Sequence, residues 1–460
     1  MFKNKKASLE TYVILSVLLG NFLMAFTANV VPITLPQIAV TYHLNNILQN
    51  WVSNIFLISI AIFSIPFGKL SEKYGFVKTY IIGLILFLIG AIGTPLSNAP
   101  WILLTFRAIQ GCATAIVNVS SLALLVIAVP ENKKGTYVGL CQAIIFVAIG
   151  LAPVLGGIIT FNFDWQTIFY LSLPFIILNI ILLKKINKEW INEKIFKFDL
   201  IGSILYFLSI LFLMYGFTIL NRTLGIVIVT IGLILLILFA IYELKKHNPI
   251  FNVSLFKNLK FSTSNFTFLI CSLSTFIVTM VLNYYLQYIL GWNIEQTGIF
   301  LIVIPIVVAI VGVIAGYLAD RMNPIILSSI GMGVLTVAAF LFTLINKTTS
   351  LYYILFAMII QGVGSGLFGG PNITTIMTSV PVEEEGTASA SVSAVRVIGQ
   401  SLSMGILTLI FTIIIGSAAI TPKVFPQLLT SCQFSLQITT ILCFIALIAS
   451  LIGLSAKSIK

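Results

Sequence analysis

Residues 67–75 read FGKLSEKYG, and a related stretch, AGYLADRMN, occupies residues 315–323. Two further pairs of segments recur at similar spacing: IQG at 109–111 and 360–362, and VAIG at 147–150 with RVIG at 396–399. The three offsets are 248, 251 and 249 residues. A nearly constant offset over three matches indicates that the chain contains two similar halves.

The sequence around these repeats is strongly apolar. Of the 460 residues, 59% are hydrophobic and 8% are charged, whereas soluble domains carry about 25% charged residues. Windows of about 20 residues predict fourteen membrane-spanning helices. They begin near Tyr12, Trp51, Thr79, Trp101, Tyr137, Asp164, Asp199, Leu224, Ser262, Thr297, Ile325, Leu351, Ser389 and Leu429. We therefore predict an all-α polytopic membrane protein with two six-helix bundles (residues 1–188 and 259–460) and two additional central helices (189–258).

The distribution of basic residues sets the expected orientation. With the N-terminus in the cytoplasm, 20 of the 25 Lys and Arg residues fall in inner segments, and three, Arg222, Lys347 and Lys423, fall in outer loops. Cytoplasmic loops of membrane proteins carry such an excess, so we expect a plasma-membrane protein with both termini in the cytoplasm. The same placement argues against a nucleic-acid partner, despite the net charge of +12.

The first copy of the repeated loop extends from Gly68 to Lys78. It resembles the G-x-L-x-D-R-x-G-R-K loop of the major facilitator superfamily, although Phe76 and Val77 stand where that family usually has basic residues. The resemblance implies that the acidic residue pairs with a cation or a helix N-terminus and holds one conformation closed. An ordinary basic loop is the alternative interpretation. The residues assigned to this conformational role are Gly68, Leu70, Glu72, Gly75 and Lys78 in the first copy and Gly316, Asp320 and Arg321 in the second.

Arg107 lies inside the predicted fourth span, about 9 Å inward from Trp101 at a rise of about 1.5 Å per residue. With Gln110 and Gly111 it is similar to the R-x-x-Q-G motif of the same superfamily. An arginine at this depth costs at least about 2.5 kcal/mol unless it faces a cavity or a partner. We expect Arg107 to face a cavity, with a side chain that snorkels outward as the alternative.

A small-residue segment, GLAPVLGG at 150–157, is similar to the G-x-x-x-G-P-x-x-G-G motif of exporter branches of the superfamily. Its conformational residues, expected to form a bendable helix surface where the halves meet, are Gly150, Pro153, Gly156 and Gly157. Generic helix packing by small residues is the alternative. The stretch DWQTIFY from Asp164, the two additional spans and the order of the motifs resemble fourteen-span drug:proton antiporters (multidrug exporters) along the whole chain.

Polar residues within spans are the candidates for a substrate cavity, each with an interhelical hydrogen bond as the alternative role. These candidates are Asn29, Asn54, Arg107, Gln110, Asn118, Gln142, Asn283, Tyr284, Gln287, Gln361, Arg396 and Gln400. The resemblance implies two bundles that rock around a central site and expose it alternately to each side.

The carboxylates depart from the pattern of proton-coupled relatives. Thr27 stands where those proteins usually have an aspartate, and all thirteen Asp and Glu residues fall in loops or at predicted span ends. Proton exchange across a membrane needs a group that titrates and is reached from both sides. Asp164 and Glu72 are the candidate proton-linked residues, and a cavity with Arg107 and Arg396 but no carboxylate favours neutral or anionic amphiphiles.

The sequence thus favours a secondary active transporter that exports small amphiphilic or drug-like molecules, with protons as the expected coupling ion. A facilitator or importer of a small metabolite or organic anion without proton coupling is the main alternative, and a sensor without flux is another. A nucleotide-binding loop and paired catalytic groups are absent from the sequence, so we expect neither an ATP-driven pump nor an enzyme. We expect no cofactor and no metal, and a monomer whose partners are its substrate, membrane lipid and, as a candidate, protons.

Overall fold

The structure, a computed structural model, describes residues 2–44, 46–191, 198–220, 222–416 and 424–455. These residues form fifteen α-helices, with a π-helical turn at Tyr285–Ile289 after the ninth. The helices are α1 (Phe2–Tyr42), α2 (Asn46–Tyr74), α3 (Phe76–Leu96), α4 (Pro100–Ala128), α5 (Lys134–Asn162), α6 (Thr167–Lys184), α7 (Leu200–Thr218), α8 (Thr223–Leu244), α9 (Leu259–Tyr284), α10 (Ile294–Leu301), α11 (Val303–Ala319), α12 (Pro324–Thr343), α13 (Leu351–Thr378), α14 (Glu385–Ile414) and α15 (Phe425–Ser455).

Fourteen of the helical stretches are long and apolar enough to cross a membrane, with α10 and α11 together forming one of them. The prediction of fourteen spans in an all-helical chain is confirmed. Helical structure satisfies the backbone hydrogen bonds within each segment, which is the condition for crossing a bilayer. Several helix starts carry side-chain caps, such as Asn293 with Gln296 at α10 and Ser350 at α13, so the polar residues between the spans define where helices begin.

The two additional helices, α7 and α8, pack against each other, and α7 also contacts both α2 and α14. The Tyr206 hydroxyl of α7 donates to the Ala61 carbonyl of α2 at 2.9 Å, and Phe217 of α7 lies against Gly405 of α14. The added pair therefore lies beside a junction between α1–α6 and α9–α15, which we call the N-half and the C-half. The exact domain boundaries at residues 188 and 258 stay predictions.

The halves meet along two seams, α2 with α14 and α5 with α11. We call the face at which α2 and α11 end and α5 and α14 begin the closed face, and the opposite one the open face. Among the residues that the structure describes, every hydrogen bond between the N-half and the C-half lies toward the closed face. The predicted position of the C-terminus falls on residues 456–460, outside the described ranges.

Candidate functional site

Glu72, at the end of α2, closes the first seam. Its Oε1 accepts hydrogen bonds from the backbone N–H of Thr387 at 2.8 Å and from the Thr387 hydroxyl at 3.0 Å. Thr387 lies in the first turn of α14, where backbone N–H groups have no partner within the helix. Glu72, which is 2% exposed, therefore caps a helix of the C-half, and the positive end of that helix stabilises its charge.

Asp320, directly after α11, closes the second seam in the same way. Its Oδ1 accepts from the backbone N–H of Gly135 at 2.6 Å, and its Oδ2 accepts from the backbone N–H of Thr136 at 2.8 Å and from the Thr136 hydroxyl. Both donors lie in the first turn of α5. A carboxylate of the C-half therefore caps a helix of the N-half.

The two latches are copies of each other. Glu72 and Asp320 occupy equivalent places in the repeated loop, and the segments that they cap, KGT at 134–136 and EGT at 385–387, are also equivalent. The offset between these two segments is 251 residues, the same as for the IQG pair. Sequence reasoning missed this match because each segment is short, although the constant offset would have identified it.

Glycines bring the backbones together at both latches. A β-carbon on Gly68 would lie 2.7 Å from the Ala390 side chain and 2.9 Å from the Gly386 carbonyl oxygen. One on Gly316 would lie 2.6 Å from the Gly135 carbonyl oxygen. All three distances are shorter than real β-carbon contacts, so these positions require glycine for the observed approach.

Charged residues surround the latches at the closed face. Lys69 forms an ion pair with Glu72 at 2.9 Å and approaches Glu384 at 4.0 Å, while Lys134 approaches Glu385 at 3.9 Å. The contacts to Glu384 and Glu385 cross between the halves. The roles of Glu384 and Glu385 were not predicted from the sequence, where both are only acidic residues at a span end.

Glu189, from the segment after α6, holds the start of α3. Its two carboxylate oxygens accept from the backbone N–H groups of Val77 at 2.8 Å and Lys78 at 3.1 Å. Gly75, with a φ of +100°, is packed so closely against this carboxylate that a β-carbon would overlap it. Partial burial raises the pKa of Glu189, and the two N–H bonds oppose that rise. Here a carboxylate from elsewhere in the chain, and not a side chain of the loop, caps the helix that follows the loop.

The other predicted conformational residues have local surroundings. Arg321 is exposed, and its guanidinium lies 4.2 Å from the ring centroid of Tyr317 in the last turn of α11. Leu70 is half-buried and Lys78 is exposed. Gly111 brings α4 against α2, since a β-carbon there would overlap the Phe56 carbonyl oxygen.

The small-residue segment of α5 contacts neighbouring helices at Gly150 and Gly156, and part of its surface is free toward the open face. A β-carbon on Gly150 would lie 3.2 Å from Ile302 of the C-half, and one on Gly156 would lie 2.5 Å from Val30 of α1. Pro153 is exposed, and nothing lies within 4 Å of a β-carbon built on Gly157. The surface of α5 thus contacts α11 on the closed-face side of Gly150 and is free on the open-face side.

A recess of about 920 Å³ lies at the open face between the ends of α1 and α5. Its wall includes Gln37, Phe161, which is 90% exposed, and Asp164. Asp164 is exposed, whereas Glu72 is enclosed in the seam at the closed face. The two candidate proton-linked residues therefore lie on opposite faces of the molecule.

Arg107 is enclosed in the N-half, with 1% of its surface exposed. Its Nε donates to the Val52 carbonyl of α2 at 3.1 Å, its Nη1 donates to the Gln110 Oε1 at 2.8 Å, and its guanidinium lies 4.4 Å from the Phe56 ring centroid. The cation is therefore held by neutral hydrogen-bond acceptors and an aromatic ring. In this conformation the guanidinium is part of the α2–α4 packing.

The predicted cavity residues separate into two groups. Those enclosed within a half, each less than 9% exposed, are Arg107, Gln110, Gln142 and Gln361. Those half-buried are Asn29, Asn54, Asn118, Asn283, Tyr284, Gln287, Arg396 and Gln400. The half-buried group lies on α1, α2, α4, α9, the π-helical turn after α9, and α14, and lining of a substrate cavity stays a prediction for all twelve.

Three half-buried residues of the C-half, Asn283, Tyr284 and Gln287, lie at the end of α9 and in the π-helical turn that follows it. The Gln287 amide donates to Asn283 Oδ1 at 2.7 Å, and the Tyr284 ring lies 5.2 Å from that of Phe411 on α14. The Arg396 guanidinium lies 5.5 Å from the Phe268 ring centroid. Single π-helical turns within helices often occur at functional sites, and hydrophobic periodicity alone does not reveal them.

Comparison with known proteins places this architecture in a family. The sequence profile of the Major Facilitator Superfamily matches residues 17–404. The riboflavin transporter RibZ of Clostridioides difficile (strain 630) is 25% identical over 87% of this chain and 88% of its own length. The multidrug resistance protein Stp of Mycobacterium tuberculosis (strain CDC 1551 / Oshkosh) is 28% identical over 85% of this chain and 73% of its own length.

Solved structures show the same fold. The proton:xylose symporter XylE aligns over 96% of this chain and 95% of its own, with a TM-score of 0.67 and 16% identity. The human organic anion transporter MFSD10 aligns over 97% of this chain and 99% of its own, with a TM-score of 0.66 and 12% identity. With two related latches between two repeated halves and a profile match over most of its length, the chain belongs to the Major Facilitator Superfamily of transporters and is not an enzyme.

Proposed function

We propose that this transporter exports small amphiphilic molecules by alternating access, with protons as the coupling ion. The observation that carries the proposal is the arrangement of the halves, which two equivalent carboxylate latches join at one face, while the described residues form no hydrogen bond between the halves toward the other face. Breaking both latches would let the halves rock about the contacts near Gly150 and expose the region between them to the closed face.

We further propose that the closed face is cytoplasmic and that the protein is a monomer in the plasma membrane. The excess of Lys and Arg in the loops predicted to be inner supports this orientation, since those loops include residues 68–78 and 131–134. The structure then corresponds to the state that releases substrate outward.

Neutral or anionic aromatic amphiphiles are the substrates that the half-buried residues favour. Arg396 supplies a cation, and the asparagine and glutamine side chains supply hydrogen bonds. Every carboxylate of the described spans lies near a span end, as Glu72, Glu243 and Glu385 do, so no anion near the middle selects cations. The relatives named as multidrug resistance proteins support export of such molecules.

A facilitator or importer of a metabolite or organic anion is the second candidate. The similarity to RibZ, described as a riboflavin transporter, supports it, as does the lack of a carboxylate near the middle of a described span. In that case the same latches would control access, but flux would follow the substrate gradient without a proton.

Transport by the purified full chain in proteoliposomes tests these candidates. With a neutral flavin, an anionic dye and a cationic dye as probes, we expect the first two to accumulate against their gradients when a pH difference is imposed. An uncoupler should collapse that accumulation. Equilibration that ignores the pH difference would support the facilitator, and a strict preference for the cationic dye would contradict the proposed substrate class.

A further inference from the structure

Two carboxylates converge beside Gly202 at the closed-face ends of the added helices. Asp199 caps the start of α7, where its Oδ1 accepts from the Gly202 backbone N–H at 3.1 Å. Glu243 lies in the last turn of α8 and is 2% exposed. The Asp199 Oδ2 and the Glu243 Oε1 both lie under 3.0 Å from the point where a β-carbon on Gly202 would stand.

These two oxygens are buried and accept no hydrogen bond from the residues that the structure describes. No Lys or Arg nitrogen of the described chain lies within 4.0 Å of either carboxylate. Two adjacent carboxylates cannot both stay ionised without a cation, because their charges repel and burial removes the solvent that would screen them. A single proton placed between the two oxygens removes the repulsion and gives both a hydrogen bond.

We propose that Asp199 and Glu243 form a proton-binding site, in which one shared proton joins α7 to α8 and fixes the segment that leads into the C-half. This pair is not part of either latch. The site belongs to the two added helices, and its ligand is a proton from the solvent at the closed face.

The segment fixed by this site is residues 250–258. The Phe251 backbone N–H donates to Glu243 Oε2 at 3.2 Å. Further along, the Asn252 amide donates to Glu384 Oε1 at 3.1 Å, and the Asn258 amide donates to the Ser379 carbonyl at 2.8 Å. Protonation of the pair is thus connected, through this segment, to the glutamates beside the latch.

The neighbouring titratable groups do not replace the proton. The Tyr242 hydroxyl donates to Asp199 Oδ1 at 3.3 Å and not to the unpartnered Oδ2. The Lys246 ammonium lies 4.8 Å from the Tyr242 ring centroid and is exposed, so solvent screens its charge.

Hydrogen exchange of residues 250–258 in the purified full chain, corrected for the intrinsic exchange rate at each pH, tests the proposal. Docking of the segment takes up one proton, so protection should be greatest at low pH. Protection should fall by up to about tenfold per pH unit between the pKa of the pair in the undocked segment and its higher pKa in the docked site, and it should level off above the latter. Segments of the open face should show no such slope.

Glu243→Gln supplies the decisive variant, because its amide N–H can donate to Asp199 permanently. We expect high protection that no longer depends on pH. Gly202→Ala should lower protection at every pH, since its methyl group would lie within 3.0 Å of both oxygens and displace the carboxylates. Glu295→Gln, an exposed acid at the open face, is the control and should keep the wild-type slope.

Two outcomes would overturn the proposal. One is a wild-type protection that does not change with pH, or a Glu243→Gln variant with the wild-type slope. The other is restoration of protection at high pH by Na⁺, Mg²⁺ or Ca²⁺, which would make the site a cation site. Neither outcome depends on transport, so a failure here is distinct from a failure of the proposed function.

Discussion

Glu72 and Asp320 each act on a helix that belongs to the other half. Their hydrogen bonds join a carboxylate to backbone N–H groups at a helix start, and such bonds to a charged group contribute about 1.5–3 kcal/mol. Because 1.4 kcal/mol is about a tenfold change in an equilibrium constant, loss of one latch should alter the balance between the closed and opened face measurably.

We expect Glu72→Ala to open the first seam, and Glu72→Gln, which keeps an acceptor but loses the charge, to open it less. The reporter is a cysteine at Ser393, which is 7% exposed and contacts Ser64 of α2 at 2.9 Å. Its alkylation rate should rise by about tenfold or more in Glu72→Ala, the change that about 1.4 kcal/mol produces. The native cysteines without Ser393→Cys give the background rate. Equal rates in all three proteins would show that Glu72 does not hold the seam.

Substitutions of Arg107 test how its buried charge is held. Arg107→Lys keeps a buried charge but cannot reach both acceptors or stack on Phe56, whereas Arg107→Met removes the charge and introduces the residue found at the equivalent position, Met358. We expect the lysine variant to be the less stable of the two, by about 1–3 kcal/mol for a charge left without its hydrogen bonds. Melting midpoints of the purified proteins measure this, and a lysine variant as stable as wild type would contradict it.

The sequence predicted a helical span around Arg107, which α4 (Pro100–Ala128) confirms, and the depth of its guanidinium in a bilayer stays a prediction. The sequence did not predict the partners, since Val52 and Phe56 lie on another helix and carry no polar signal of their own. Glu189 illustrates the same limit: its role depends on where the segment after α6 passes α3, which no local pattern encodes.

Helix α5 carries glycines in two different environments. Gly139 contacts α11 so closely that a β-carbon would lie 2.7 Å from Gly312 and Gly316 backbone atoms, while Gly157 has open space. One helix thus carries a glycine that the present conformation needs and another that it does not use. If the open face closes during transport, Gly157 is the position that closure would bury.

We expect Gly139→Val to wedge the second seam apart in the present conformation, and Gly157→Val to leave this conformation intact. Both should reduce transport by tenfold or more, the first by destabilising the closed face and the second by preventing closure of the open face. Spin-label distances across α5 and α11 and flux in proteoliposomes measure the two effects. A Gly157→Val protein with wild-type flux would indicate that the open face never closes on α5.

The number and type of the elements were predictable from the sequence because a bilayer fixes the length and polarity of each span. The repeat gave the two halves. The pairing of α2 with α14 and of α5 with α11 was not predictable in detail, since the capped segments KGT and EGT have only two residues in common. The π-helical turn was also missed, because it continues the hydrophobic pattern of α9.

Alternating access requires that one face of the whole molecule closes when the other opens. Two equivalent latches close one face, and the α5 surface toward the other face is free. Because the halves are related by an internal repeat, we expect their relative motion to be a rigid-body rocking in which the opening of one face accompanies the closing of the other.

Electron-spin distance measurements on two label pairs test this most directly, in a chain freed of its native cysteines. Phe161 and Ile299, which are 90% and 60% exposed, report on the open face. Lys133 and Met322, at the start of α5 and the end of α11, are also exposed and report on the closed face. We predict that Glu72→Ala combined with Asp320→Ala shortens the first distance and lengthens the second. Two distances that stay fixed, or that change in the same direction, would contradict alternating access.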